Sequence, residues 1–354
     1  MSQPNVTLAP PDGAASPEPP QLQVMRLGLG YQTTALVFTF TKLGIADHLA
    51  GGQLSSSELA KLTGAHPESL LRFLRASAAF GLCEIIDSET FGATPVTECL
   101  TSGPKSLQGF ALGMGQEAHL RPFEHLYTGV MENRSVAEEA LGMPMWQYYD
   151  AHPEAKATLT AHLDEVTVLV APLVAKYFDL SRFSRIVDVG GNQGHFLSAI
   201  LDAAPQATGV LFDRPEVMDE ARATIAARGY TDRVEFVGGS FLDEVPEGGD
   251  LYLVKGIMHD WDNGPAGRIL SNCQKAAAPG SILLSLEGIV RDKPPLDSMV
   301  HLIDLAMLLL VGGRERTRTE FDRLFGGAGW EITKVVPLPM LAYFPYHIIE
   351  ARRT

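Results

Sequence analysis

A chain of 354 residues with 45% apolar and 20% charged side chains can build two or more structural units around a sizeable core. Its formal net charge of −14 argues against a nucleic-acid-binding protein, which needs a basic face for the phosphate backbone. Three cysteines, Cys83, Cys99 and Cys273, lie far apart without CxxC spacing, so neither a disulfide framework nor a zinc cluster is expected, and a reducing cytoplasm is the expected setting.

In chain order, residues 1–20 are dominated by Pro, Ser and Ala and lack the basic and apolar regions of a signal peptide; a disordered tail is expected. The uncharged stretch Leu27 to Thr41 is interrupted by Gly, Gln and Thr and falls short of the ~20 apolar residues of a spanning helix, so no membrane span is expected. Residues 21–106 predict helices near 24–50, 56–63 and 67–80, followed by the short extended pieces CEIID and ETFGAT, a winged-helix outline. Ser55 with Glu58 fits a capping box, Pro67 suits a first helical turn, and Gly64 and Gly81 suit helix ends. Winged helices often bind DNA, but residues 21–110 hold six Lys or Arg against seven Asp or Glu, which opposes that role. Leu70, Leu71, Phe73, Leu74 and Phe80 crowd the third helix and predict burial on more than one side.

Residues 107–179 predict a long helical region. Met143, Met145, Trp146, Tyr148 and Tyr149 either line a pocket for a flat aromatic molecule or form ordinary core. From 180 to 354 apolar runs at 185–189, 208–213, 233–237, 250–255 and 281–286 alternate with helical patterns, and EITKVVPL and AYFPYHIIEA predict a terminal hairpin with a reversed strand. The fold class expected is α/β: a mostly parallel Rossmann-like sheet whose last strand is antiparallel.

Three strand ends carry the chemistry. In RIVDVGGNQG, glycines at 190, 191 and 194 let the backbone approach a ligand, and a new helix offers unpaired N–H groups. GVLFD ends in Asp213, placed to take both hydroxyls of an adenosine ribose. DLYLVKGIMHDWDN carries Lys255 and His259 to the same crevice, where the strand order of a doubly wound sheet reverses.

With DVGGNQG at 188–194, VKGIMHDWDN at 254–263 and GGRERT at 312–317, nearly the whole chain resembles the class I S-adenosylmethionine-dependent small-molecule O-methyltransferases of the caffeate/hydroxyindole type. The resemblance implies S-adenosylmethionine as cofactor. Gly190 would form the main turn, Asp213 would hold the ribose, Phe241 would lie on the adenine, and Lys255 would sit near the purine edge or the adjacent backbone; Asp188, Gly191, Arg214 and Gly239 complete the cofactor set. Two positions depart from the family pattern. Asn192 replaces a glycine, tolerable because Asn enters the left-handed region, and Ser240 replaces the Asp that accepts the adenine amino group, with Asp243 or Asp232 as compensating acids. The resemblance further implies a homodimer built by residues 21–106, an aromatic near Trp146 in the acceptor site, and Glu287 and Glu315 as the paired glutamates beside a catalytic His259.

Methyl transfer from a sulfonium to oxygen needs the acceptor to lose its proton, and a histidine near its ordinary pKa suits that task. The expected acceptor-facing residues are Met145, Trp146, His162, Met258, His301, Asp304, Met307 and Leu308, together with Asp260, a helix-start acid rather than a second base. Catechol-type relatives hold a divalent cation with clustered Asp and Asn, whereas this chain has the histidine arrangement, so no metal is expected. The expected function is metal-independent O-methylation of an aromatic or polyketide-like hydroxyl in secondary metabolism, such as antibiotic biosynthesis. The alternatives are decarboxylation or hydroxylation of a polyketide on the same fold, or a non-catalytic winged-helix regulator.

Overall fold

A computed structural model describes residues 19–103, 106–294, 296–339 and 346–354. The expected tail, apart from its last two residues, and the beginning of the second hairpin run lie outside them. The chain divides into two compact units, residues 1–97 and 98–354.

In the first unit the single helix expected over 24–50 is three, Pro20–Gly28, Gly30–Lys42 and Ile45–Leu49. The second break falls at Gly44, whose φ of 65° is left-handed and cannot continue a helix. The capping box forms: Ser55 Oγ accepts the Glu58 N–H at 3.2 Å while the Glu58 carboxylate accepts the Ser55 N–H at 2.8 Å. Pro67 opens helix Pro67–Ala79. That helix buries Leu70, Leu74 and Ser77 on one face only; Phe80 beyond it is 61% exposed, against the expectation of burial on several sides. Strands β1 (Leu54–Ser55), β2 (Glu84–Ile85) and β3 (Thr90–Gly92) pair antiparallel in the order β1-β3-β2, completing the winged-helix outline.

The second unit holds β4 (Arg185–Val189), β5 (Thr208–Asp213), β6 (Val234–Gly238), β7 (Leu251–Lys255), β8 (Ile282–Val290), β9 (Arg316–Thr317), β10 (Trp330–Pro337) and β11 (Tyr346–Arg353). The main sheet runs β10-β11-β8-β7-β4-β5-β6, and β9 pairs with β8. Strands β6, β5, β4, β7 and β8 pair in parallel, and β11 is antiparallel to both β8 and β10. The reversed strand therefore enters between β8 and β10. Continuous apolar runs suit strands covered on both faces. Ile186, Leu211, Leu253 and Leu284 face a core shared with Val170, Phe196 and Ile225, while Val187, Val210, Tyr252 and Leu283 face one shared with Ile269, Phe325 and Trp330.

Helix Pro153–Tyr177 is long and apolar enough to cross a membrane by length and composition alone. It buries Val166, Val170, Ala171 and Val174 in the first of those cores, as a core helix does. The strand order reverses at β4, with β5 on one side and β7 on the other, so the crevice lies beyond the ends of β4 and β7.

Candidate active site

Beyond β4 the backbone turns through Gly190 at φ 73° and Asn192 at φ 49°. A Cβ on Gly190 would lie 2.5 Å from Ile257 Cδ1 and 3.6 Å from the Phe241 ring, so the missing side chain keeps open a cradle between these two groups. Asp213 braces the same turn. Its Oδ2 accepts the Asn192 N–H at 2.8 Å and its Oδ1 the Arg214 N–H at 2.7 Å, each oxygen retaining a lone pair. Burial raises its pKa, opposed by those two N–H bonds.

Gly239 donates its N–H to the Asp213 carbonyl, and the Phe241 ring meets Trp261 edge-on at 6.0 Å. Ser240 is exposed, and its Oγ accepts the Leu242 N–H at 3.3 Å. Asp243 is exposed on the same loop, whereas Asp232 precedes β6 at its opposite end, about 16 Å of strand away, and cannot stand in for the missing acid. The Arg214 guanidinium turns outward to Asp150 at 3.2 Å.

Asp188 is buried with one oxygen, Oδ2, lacking a partner among the described residues; burial pushes its pKa up to about 7 against the pull of the Lys255 ammonium. Lys255 lies with its Nζ 5.9 Å from the centroid of the Phe196 ring, and burial lowers its pKa while Asp188, Asp164 and Glu287 oppose that. The structure thus groups Lys255 with Asp188 and the helix His195–Ala203.

Past β7, Gly256 at φ 62° turns the chain into the short helix Met258–Asp260. Glu287 Oε1 on β8 accepts the Ile257 and Met258 N–H groups at 3.2 and 2.9 Å. His259 is 9% exposed, with Nδ1 2.8 Å from Glu315 Oε1 and Nε2 3.6 Å from Asp260 Oδ1, the latter beyond hydrogen-bond range. The two glutamates therefore differ: Glu315 bonds the imidazole, and Glu287 holds the backbone that leads to it. Burial would push the imidazole pKa down, but the charge and hydrogen bond of Glu315, with Asp260 and Glu287 behind them, push it up to about 10. A histidine near its ordinary pKa is not what this environment produces. Burial pushes Glu287 up to about 7 and Asp260 up to about 6, with His259 opposing both.

Donor atoms of His259, Glu287 and Glu315 lie within 4.8 Å of one another, the one grouping among the described residues with metal-ligand spacing. Its Nδ1 and two Oε1 atoms are already hydrogen-bonded, while Oε2 of each glutamate is buried without a described partner.

Helix Ser298–Val311 faces this region. Asp304 Oδ1 accepts the Glu315 N–H at 2.8 Å, and His301 Nε2 is buried without a hydrogen bond among the described residues. Met307 packs on a cluster of Ala118, Ala137, Met145, Tyr149, Ala306 and Leu310, and Leu308 is half-buried. Met145 is buried there, but Trp146, the next residue, is 40% exposed. His162 is buried beside Phe110, ring centroids 5.7 Å apart, and burial pushes its pKa down to about 4. Met258 is a correction: it is fully buried among Val254, Ala266 and Phe321 in the core beneath the sheet, so the expected acceptor contact is not available to it.

Residues 123–331 match the family model of the O-methyltransferase domain, and residues 25–103 match that of the O-methyltransferase dimerisation domain. The chain belongs to the O-methyltransferase family. It is 35% identical to phenazine O-methyltransferase PhzM of Lysobacter antibioticus, across 89% of this chain and 92% of that one. Its fold is similar to the solved mitomycin 7-O-methyltransferase MmcR, with TM-score 0.87, 31% identity and coverage of 95% and 98% of the two chains. It is also similar to human N-acetylserotonin methyltransferase in complex with SAM, with TM-score 0.85, 25% identity and coverage of 96% and 99%. Further relatives are named N-methyltransferases.

Three residues of this O-methyltransferase were not singled out from sequence. Ile257 and Trp261 wall the glycine turn and Phe241, and apolar residues inside an apolar motif carry no chemical signal. Arg316, quoted only within GGRERT, is fully buried, and its guanidinium is directed to Asn263 and to backbone carbonyls.

Proposed function

We propose that this enzyme transfers the methyl group of S-adenosylmethionine to a hydroxyl of an aromatic or polyketide-like small molecule, without a metal ion, with the acceptor proton taken by His259. The supporting observation is the buried 2.8 Å contact between His259 Nδ1 and Glu315, which fixes the tautomer and leaves Nε2 for the acceptor. The chain's residues fit the cofactor. Gly190 keeps open a cradle that a Cβ would fill, Asp213 keeps free lone pairs for ribose hydroxyls, and Asp188 has a buried oxygen without a described partner. Bound there, S-adenosylmethionine supplies an electrophilic methyl group.

His259 holds a proton at neutral pH because Glu315 stabilises the imidazolium. Nε2 accepts the acceptor's proton only after releasing its own, and Glu315 then stabilises the cation that forms. Glu287 keeps the preceding turn in place through the Ile257 and Met258 N–H groups. Oε1 of Glu287 is committed to those N–H groups and Nδ1 of His259 to Glu315, which supports the proton-transfer reading, while Oε2 of each glutamate stays without a described partner. His301, Asp304, Met307, Leu308 and His162 form the proposed acceptor side, with Met145 lining it from the cluster beneath.

The proposed assembly is a cytoplasmic homodimer built by the N-terminal unit. The dimerisation-domain match supports it, as do Leu22, Val24, Met25, Leu27 and Phe80, all more than half exposed in the single chain. Incubation with radiolabelled S-adenosylmethionine and a panel of hydroxylated aromatics tests the activity. Label in a methyl ether is expected; no methylated product from any hydroxylated acceptor, with methylation of an amine instead, would replace the oxygen assignment.

A further inference from the structure

We propose that Arg316 is a positioning residue for methyl transfer: its guanidinium locks the turn that carries His259 onto the segment that carries Glu315, keeping imidazole and carboxylate in register. The inference rests on the assignment of His259 as the base. Arg316 is 0% exposed, and none of its described hydrogen bonds goes to a carboxylate. Burying a guanidinium is costly; the nearby charges of Glu287, Asp262 and Glu315 offset part of that cost without a hydrogen bond, and its bonds to Asn263 and to backbone carbonyls satisfy its donors. Nη1 donates to the Met258 carbonyl at 2.7 Å and Nη2 to the Trp261 carbonyl at 2.6 Å. These two acceptors bracket His259. Nε donates to Asn263 Oδ1 at 2.9 Å, so one planar fork holds the turn on both sides and the start of the following helix.

The grip is doubled by neighbouring backbone. The Arg314 N–H donates to the His259 carbonyl at 2.8 Å. Gly313 comes so close that a Cβ would collide with the His259 carbonyl oxygen and lie 2.5 Å from the Asp260 carbonyl carbon. Arg316 also pairs in parallel with Ile289 on β8, the strand that carries Glu287. One residue thus ties together the three strand ends that supply His259, Glu287 and Glu315. A lysine would keep the charge but cannot present three donors in one plane.

R316K, assayed well below its melting temperature, is expected to lower kcat roughly 10- to 100-fold, the scale of an ångström of misplacement. Cofactor Kd by calorimetry should stay within about twofold of the parent, since the expected change is in orientation rather than in binding. Because Glu315 raises the imidazole pKa, a looser contact should also move the apparent pKa of kcat/KM downward. A role in folding alone would lower the melting temperature and leave kcat and the pH profile unchanged, and that result in folded R316K overturns the proposal. Should R316K not accumulate as folded protein, N263A decides, since Asn263 is exposed and supplies one of the three anchors. A smaller fall in kcat with the same downward pKa shift supports the clamp, and parental values overturn it. Parental turnover in H259A would sink the base assignment itself, whereas an impaired H259A beside an unimpaired R316K removes only the clamp.

Discussion

His259 and Glu315, 56 residues apart in the chain, meet at 2.8 Å between Nδ1 and Oε1 where both side chains are almost wholly shielded from solvent. That contact decides the protonation of the site. Burial opposes a charged imidazole, yet the carboxylate outweighs it and pushes the pKa up to about 10. As a raised pKa on a base, it gives stability that is complete below the unfolded value near 6.5 and is lost as pH rises toward 10. Catalysis has the opposite sign, because the neutral imidazole gains population over that same window.

The first prediction is a pH profile. With a phenol as acceptor, kcat/KM should climb between pH 7 and about 10 in the parent enzyme. In Glu315→Gln the buried imidazole loses its counter-charge, so the rise should move to lower pH while the plateau falls. Profiles of parent and variant that superimpose would show that Glu315 does not control the base.

Asp213→Ala tests the cofactor site. Its carboxylate is held by the Asn192 and Arg214 N–H groups and faces the same turn as Gly190. Loss of charge-assisted hydrogen bonds should weaken S-adenosylmethionine by roughly 1.5–3 kcal/mol, read by calorimetry. Unchanged affinity would remove Asp213 from the site.

Assembly is the third prediction. The helix Pro20–Gly28 buries no residue in the single chain, while Leu22, Val24, Met25 and Leu27 stand exposed. Sedimentation at micromolar concentration should give a dimer, and duplex DNA should not bind with a steep salt dependence. A monomer, or tight salt-sensitive DNA binding, would contradict the interface assignment.

The strands of the second unit were legible because apolar runs such as IVDV and LYLV stop at glycines that the backbone needs at φ 73° and φ 62°. The insertion of β11 between β8 and β10 was not, since strand order beyond a hairpin is set by packing across the sheet. The break at Gly44 was missed because a glycine inside a helical pattern is tolerated as often as it terminates. In the site, the pairing of His259 with Glu315 came from a motif resemblance, not from spacing. Met258 and His259 are neighbours on one short helix that sends one side chain to the core and the other to the site. Met145 and Trp146 part in the same way, and only the packed structure separates them.

The most direct measurement is single-turnover methyl transfer by His259→Ala on a phenol of ordinary acidity at saturating cofactor. A fall of about 10²–10⁴-fold in rate, with cofactor affinity nearly intact, is the expected result for removal of a general base. Adding Glu315→Gln to that variant should cost little more, since the carboxylate acts through the imidazole. Near-parental turnover by His259→Ala at the alkaline end of the window up to about pH 10, where the parent's imidazole becomes neutral, would contradict the base assignment, leaving proximity alone to carry the reaction.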